Sequence, residues 1–116
     1  MIWLWLSAAF MATTALVHGA LGEKRLIRPL LELDQGIMAV LLARRVFRFA
    51  WHAMSLLMLV SAATVVWPGT PRALIQLVGA AWVAVGLADA LYTRGQHIGW
   101  PILTLSGVFA LIGGSG

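Results

Sequence analysis

Four nearly uninterrupted apolar runs, Ile2–Gly22, Val46–Trp67, Ala73–Tyr92 and Ile98–Gly116, take up most of this chain. A helix crosses the hydrocarbon core of a bilayer with ~20 predominantly apolar residues at 1.5 Å rise each, and every run supplies about that length. Charged residues make up 10% of the chain and mean hydropathy is +0.92. An ordinary soluble domain carries nearer a quarter charged residues, so that class is excluded. The sequence predicts a single all-α domain over residues 1–116, with spans at about 2–22, 46–67, 73–92 and 98–114 and a longer connection over 23–45.

The charges are distributed unevenly about these runs. Seven of the eight cations (Lys24, Arg25, Arg28, Arg44, Arg45, Arg48 and Arg94) lie in or beside the first and third connections, and only Arg72 lies in the second. All four acids (Glu23, Glu32, Asp34, Asp89) and all three histidines (His18, His52, His97) keep to that same side. Lys and Arg in short loops near span ends mark the cytoplasmic face. The first and third connections are therefore expected in the cytoplasm and both termini outside it. The formal charge of +4 does not signal nucleic acid, because the basic residues flank apolar spans instead of forming a soluble basic surface. With no cysteine there is no disulfide, thiolate metal site or cysteine nucleophile. The opening Met1-Ile2-Trp3-Leu4-Trp5 lacks the positive start of a signal peptide, so the first run reads as a retained span.

The connections set the topology. Arg28-Pro29 is expected to break any helix there, since the residue before proline is pushed out of the α region. A helix starting at Gly36 would lead into the second span. Trp67-Pro68-Gly69-Thr70-Pro71 reads as a tight outer turn, and Tyr92 to His97 is equally short. Short links make sequential neighbours antiparallel, which predicts an integral membrane four-helix bundle of up-down-up-down order.

Each span carries polar and small residues at alternating steps of three and four, which places them on one helical face. The stripes are Ser7, Met11, Thr14 and His18; Arg45, Arg48, His52, Ser55 and Leu59; Gly79, Trp82, Gly86 and Asp89; and His97, Trp100, Thr104, Gly107 and Leu111. In lipid such faces pack on neighbouring helices. Their convergence predicts a polar pocket at the cytoplasmic ends, built from His18, Glu23, Arg48, His52, Ser55, Asp89, Arg94 and His97.

Several uses of that pocket are open. His18, His52 and His97 with Asp89 are residue types that ligate zinc, copper or non-haem iron. Against a metal stand the nearby Arg48 and Arg94 and the absence of Glu-x-x-His pairs on one helix. Bis-histidine haem ligation by His52 with His18 or His97 is a further alternative, and no haem motif supports it. Arg25, Arg28, Arg44 and Arg45 suit anionic lipid headgroups, although Arg44 and Arg45 also serve by snorkelling to the interface. The plainest use is mutual satisfaction: Asp89 pairing with Arg48 or Arg94, and His52 bonding to Ser55 or a backbone carbonyl. No nucleophile–base–orienter set is present, which points away from an enzyme.

The run Val17-His18-Gly19-Ala20-Leu21-Gly22-Glu23 with Arg28-Pro29-Leu30-Leu31, and the later Arg48-Phe49-Ala50-Trp51-His52-Ala53-Met54-Ser55, resemble the pattern of a group of small bacterial four-span inner-membrane proteins with no assigned reaction. The resemblance implies a bacterial inner-membrane origin. Size also suggests the small multidrug-resistance exporters, but those depend on a glutamate inside the first span, where this chain has Ser7, Thr13 and Thr14. The resulting expectation is a non-catalytic inner-membrane protein that acts by association, as an accessory or stabilising subunit of a larger complex or as a homo-oligomer. The alternatives are a metal-, haem- or anionic-lipid-binding protein using the pocket, and a small proton-coupled transporter with His52 and Asp89 as the titrating pair.

Overall fold

A computed structural model describes all residues from Met1 to Gly116. The chain is all-helical and has no strand. We number its helices α1 (Ile2–Gly22), α2 (Arg28–Glu32), α3 (Leu41–Val66), α4 (Arg72–Tyr92) and α5 (Trp100–Ser115).

The helical path does not break at Arg28-Pro29. A π-helical turn, Glu23–Ile27, joins α1 to α2, so one helix runs unbroken from Ile2 to Glu32. Proline within a helix loses a backbone donor and its ring presses on the carbonyl four residues back. Here the turn ahead of Pro29 has already widened, with the Arg28 N–H bonding the Glu23 carbonyl five residues back. At 1.5 Å per residue the 31-residue helix is ~46 Å long, well beyond a ~30 Å hydrocarbon core, so its charged end extends past the apolar run. The connection therefore shrinks to residues 33–40. Gly36–Ala39 forms a 3-10 turn, Val40 is extended, and α3 begins at Leu41, not at Gly36.

The other boundaries follow local chemistry. Trp67 leaves the helix at ψ 131° because Pro68 follows it, and Pro71 launches α4. Gly69 supplies φ +84° for the turn between them. At the end of α4, Arg94 (φ 54°) holds the left-handed position usually given to glycine, and the Gly95 N–H bonds back to the Ala90 carbonyl at 2.7 Å. The fourth helix is shorter than its apolar run. Pro101 takes up the first turn of α5, where its missing N–H costs nothing, so the helix starts at Trp100 and its 16 residues span ~24 Å. Three helical stretches are thus long and apolar enough to cross a membrane, Ile2–Glu32, Leu41–Val66 and Arg72–Tyr92, and one is shorter.

Packing follows the order α3–α1–α5–α4. Between α1 and α5, Gly113 meets Leu4, the Ser7 hydroxyl donates to the Ser106 carbonyl at 2.6 Å, and Phe10 meets Phe109 edge to face at 5.2 Å. From Leu4 to Ser7 the partner moves back from Gly113 to Ser106, so the two helices run in opposite directions. Between α4 and α5 the approach is closer still. A β-carbon on Gly79 would lie 3.0 Å from the Gly107 carbonyl oxygen, and one on Gly86 would overlap the Thr104 side chain. One apolar core joins Ala8 and Met11 of α1, Ala62 and Val65 of α3, Ile75 and Trp82 of α4, and Ala110 of α5.

Ser7, Met11 and Thr14 are buried as their stripe requires, as are Gly79, Trp82, Gly86 and Gly107. The fourth helix is rotated from expectation: Ser106, Ala110 and Gly114 are buried, while Thr104 and Leu111 are half-buried. In α3 the expected stripe fails at both ends, with Arg45 and Leu59 exposed. The cause is that α3 leans on α1 alone for most of its length and touches α4 only where Ala62 and Val65 reach the common core. Elsewhere α3 and α4 splay apart. Only 17 of 116 residues are buried and the exposed surface is rich in Leu, Val, Ile and Trp, an arrangement suited to an apolar surrounding.

Candidate functional site

The antiparallel contact of α1 with α3 brings the two motifs of the sequence together residue by residue. His18 Nδ1 and Ser55 Oγ share a hydrogen bond of 2.7 Å. The Trp51 indole lies flat on the His18 imidazole, with centroids 4.1 Å apart and planes 9° from parallel, and its Nε1–H donates to the His18 carbonyl at 2.7 Å. Such proximity needs the two glycines. A β-carbon at Gly19 would press on Ser55 Oγ at 3.3 Å, and one at Gly22 would fall inside the indole of Trp51. One turn on, Glu23 receives α3 through a carboxylate that is 20% exposed. Arg48 forks onto it, Nε to Oε1 at 2.9 Å and Nη2 to Oε2 at 3.3 Å, while His52 Nε2–H donates to Oε1 at 3.1 Å. Arg28 Nε stands 3.9 Å away on the same carboxylate.

A fork with two parallel N–H···O contacts is the strong form of an Arg–carboxylate pair. The π turn starts at Glu23, and such turns frequently accompany functional positions because they re-aim side chains. The geometry supplies a fixed imidazole on an aromatic plane next to a second imidazole bound to a carboxylate. It can hold polar groups in register and relay protons over short distances; it offers no open nucleophile.

Asp89 and His97 lie elsewhere. They pair with each other, Nδ1 to Oδ2 at 2.6 Å, across the short connection between α4 and α5. Thr93 braces the same turn, donating to the Asp89 carbonyl at 2.7 Å and accepting from the His97 N–H at 3.3 Å. The expected single pocket therefore divides. His18, Glu23, Arg48, His52 and Ser55 assemble between α1 and α3; Asp89 and His97 form a separate local pair; Arg94 joins neither and makes no ion pair. The expected Arg48–Asp89 bridge is replaced by Arg48–Glu23, and Ser55 serves His18, not His52. No group of three or more His, Asp or Glu side chains is close enough to hold a metal ion, so His18, His52, His97 and Asp89 do not form the ligand set that their residue types suggested. The separation follows from the splay of α3 from α4.

Trp51, Gly19 and Gly22 belong to the site although the polar stripes do not contain them. A signal for the glycines was legible: His-Gly-x-x-Gly-Glu places Gly19 and Gly22 three residues apart on one side of α1 next to His18, where small residues permit close approach. Nothing in the spacing identified Trp51 as the residue that fills the space they leave.

Of the cations expected at lipid headgroups, Arg44 and Arg45 line a groove with Arg48, whereas Arg25 and Arg28 lie outside it. Arg44 also reaches Asp34 at 3.2 Å. A second groove, of about 240 Å³, opens between the splayed α3 and α4 and is almost wholly apolar, with Leu57, Met58 and Ser61 on one wall, Ala81 and Val85 on the other and Trp82 among its lining.

Comparison of the chain with protein-family models, curated proteins and solved structures found no match.

Proposed function

We propose that this chain is a multi-pass protein of a bacterial inner membrane, built as an up-down-up-down bundle with both termini outside the cytoplasm, that acts by binding a transmembrane helix of another subunit. The observation that carries the reading is the apolar groove between α3 and α4. Sequential neighbours joined by a five-residue turn would ordinarily close on each other, yet these two part around Trp82 and leave a cleft about 240 Å³ in volume.

The walls suit a helix. Ala81 lines the groove, Ala84 and Ala88 follow it exposed at steps of three and four along α4, and small residues let a partner backbone come close. Met54 and Met58 on the α3 side adapt to an irregular surface. A two-fold contact of groove with groove would set concave against concave and leave both unfilled, which favours a different chain over a second copy. In this reading the α1–α3 cluster is the clasp that keeps α3 away from α4, and the protein is an accessory or stabilising subunit.

A photo-crosslinking residue at Leu57 of the full chain, in native membranes, tests this. The expected product contains a second membrane polypeptide, while the same probe at Leu56, exposed but outside the groove, yields far less. A product of twice the protein's own mass would replace the accessory subunit by a homo-oligomer. Lipid adducts alone at Leu57 would overturn the reading.

A further inference from the structure

The groove on the other side of α3 has different chemistry. It measures about 380 Å³ and lies between the charged extension of α1 and the first turns of α3. Arg44, Arg45 and Arg48 supply its polar wall, and Leu31, Leu41 and Phe49 supply the rest. Arg44 and Arg48 are one turn apart on one helical face, and Arg45 is three residues from Arg48, so three guanidiniums converge on one cleft.

Their charge is only partly compensated. Arg48 is held by Glu23, and Arg44 meets Asp34, whose side chain is 68% exposed and therefore a weak counter-charge. Arg45 makes no ion pair. The start of α3 adds to the excess: its first turn contains no acid and Val40 offers no side-chain cap, so the first N–H groups and the positive end of the helix dipole stay uncompensated. A free inorganic anion would account for the arginines but not for the apolar half of the cleft. Leu31 is buried at its base, whereas Phe49 is 75% exposed along its wall. The apolar run of α3 begins at Val46, so Arg44 and Arg45 stand at its headgroup end and Phe49, about 6 Å further along the helix, at the depth of the upper acyl chain.

We propose that this groove binds an anionic membrane phospholipid, with the phosphate forked by Arg45 together with Arg44 and Arg48 and an acyl chain lying along Phe49. Guanidinium geometry matches phosphate oxygens in pairs, which an ammonium would not. The proposal shares with the preceding reading only that the chain lies in a bilayer; it uses the opposite side of α3 and needs no partner subunit.

The test is native mass spectrometry of the full chain in non-ionic detergent, titrated separately with phosphatidylglycerol, phosphatidylcholine and inorganic phosphate. We expect phosphatidylglycerol to be retained at least tenfold more tightly than phosphatidylcholine, with millimolar phosphate displacing little of it. Arg45→Gln should weaken phosphatidylglycerol about fivefold, the worth of one basic side chain at an anionic surface, and the Arg44→Gln/Arg45→Gln double variant about 20-fold. Arg72→Gln, at the opposite end of the molecule, should change nothing. Equal retention of the two lipids by the unaltered protein would overturn the proposal whatever the variants do. So would an Arg45→Gln effect no larger than that of Arg72→Gln. Full displacement by inorganic phosphate would make the cleft a soluble-anion site and likewise refute it.

Discussion

Replacing Gly22 by alanine probes the α1–α3 clasp with a single methyl group. The new β-carbon would overlap Trp51 Nε1 and come within 2.6 Å of Cε2 and 2.7 Å of Cζ2, too close for any real contact. Trp51 must therefore move. Moving it breaks the stack on His18, worth about 0.5–1.5 kcal/mol, and the indole bond to the His18 carbonyl, worth about 1 kcal/mol. Overpacking strain of about 1–3 kcal/mol is the alternative if the indole stays. Alanine recovers about 1 kcal/mol of helix propensity, so the net loss should be about 0.5–1.5 kcal/mol. The assay is equilibrium unfolding in mixed micelles of increasing denaturing-detergent fraction, followed by helicity. The second half of the experiment isolates the cause: in a Trp51→Ala background the same glycine change should turn neutral or stabilising, by up to about 1 kcal/mol. An equal penalty in both backgrounds would refute the argument, since the cost would then have nothing to do with the indole.

Further substitutions grade the remaining contacts. Gly107→Ala should destabilise the α4–α5 pair more than Gly79→Ala in the same assay, because its β-carbon meets the Gly79 carbonyl and Val83 backbone, whereas the other is just tolerated at 3.0–3.1 Å. Ser7→Ala removes the buried bond to the Ser106 carbonyl and should cost about 1 kcal/mol; a neutral result would mean that the carbonyl is satisfied within α5 alone. His52→Ala and His97→Ala should be additive within about 0.5 kcal/mol, since the two imidazoles belong to separate clusters, and a larger coupling would restore the single pocket expected from the stripes.

What could be read without coordinates was local. The apolar runs locate the helices, Pro68 and Pro71 mark the turn between α3 and α4, and the polar stripes of α1 and α4 pick the faces that are buried. Pro29 misled because the rule for residues before proline describes an ordinary helix, and the π turn ahead of it is not one. The site was half legible for a different reason. Helical period states which face of a span seeks a partner, but not which partner takes it. His18, Glu23, His52 and Asp89 all belong to inward stripes or their charged ends, yet α1 packs between α3 and α5 and so stands between the faces that carry them. The glycines decide that order. Gly79, Gly86 and Gly107 let α4 and α5 approach to backbone contact, and Gly19 and Gly22 make room on α1 for the Ser55 and Trp51 side chains of α3; no matching pair of small residues ties α3 to α4. The weakest of the three helix contacts along the chain is thus the one left open. The same splay that separates the histidines leaves both sides of α3 accessible, an apolar cleft towards α4 and a cationic one towards the extension of α1. Arg48 belongs to the cationic cleft and to the Glu23–His52 cluster at once, so a phosphate that drew Arg48 away would leave Glu23 to His52 alone. Glu23→Gln should therefore free Arg48 and tighten phosphatidylglycerol binding in the mass-spectrometric titration, and a weakened complex would show that the carboxylate positions the arginine for the lipid and does not compete for it.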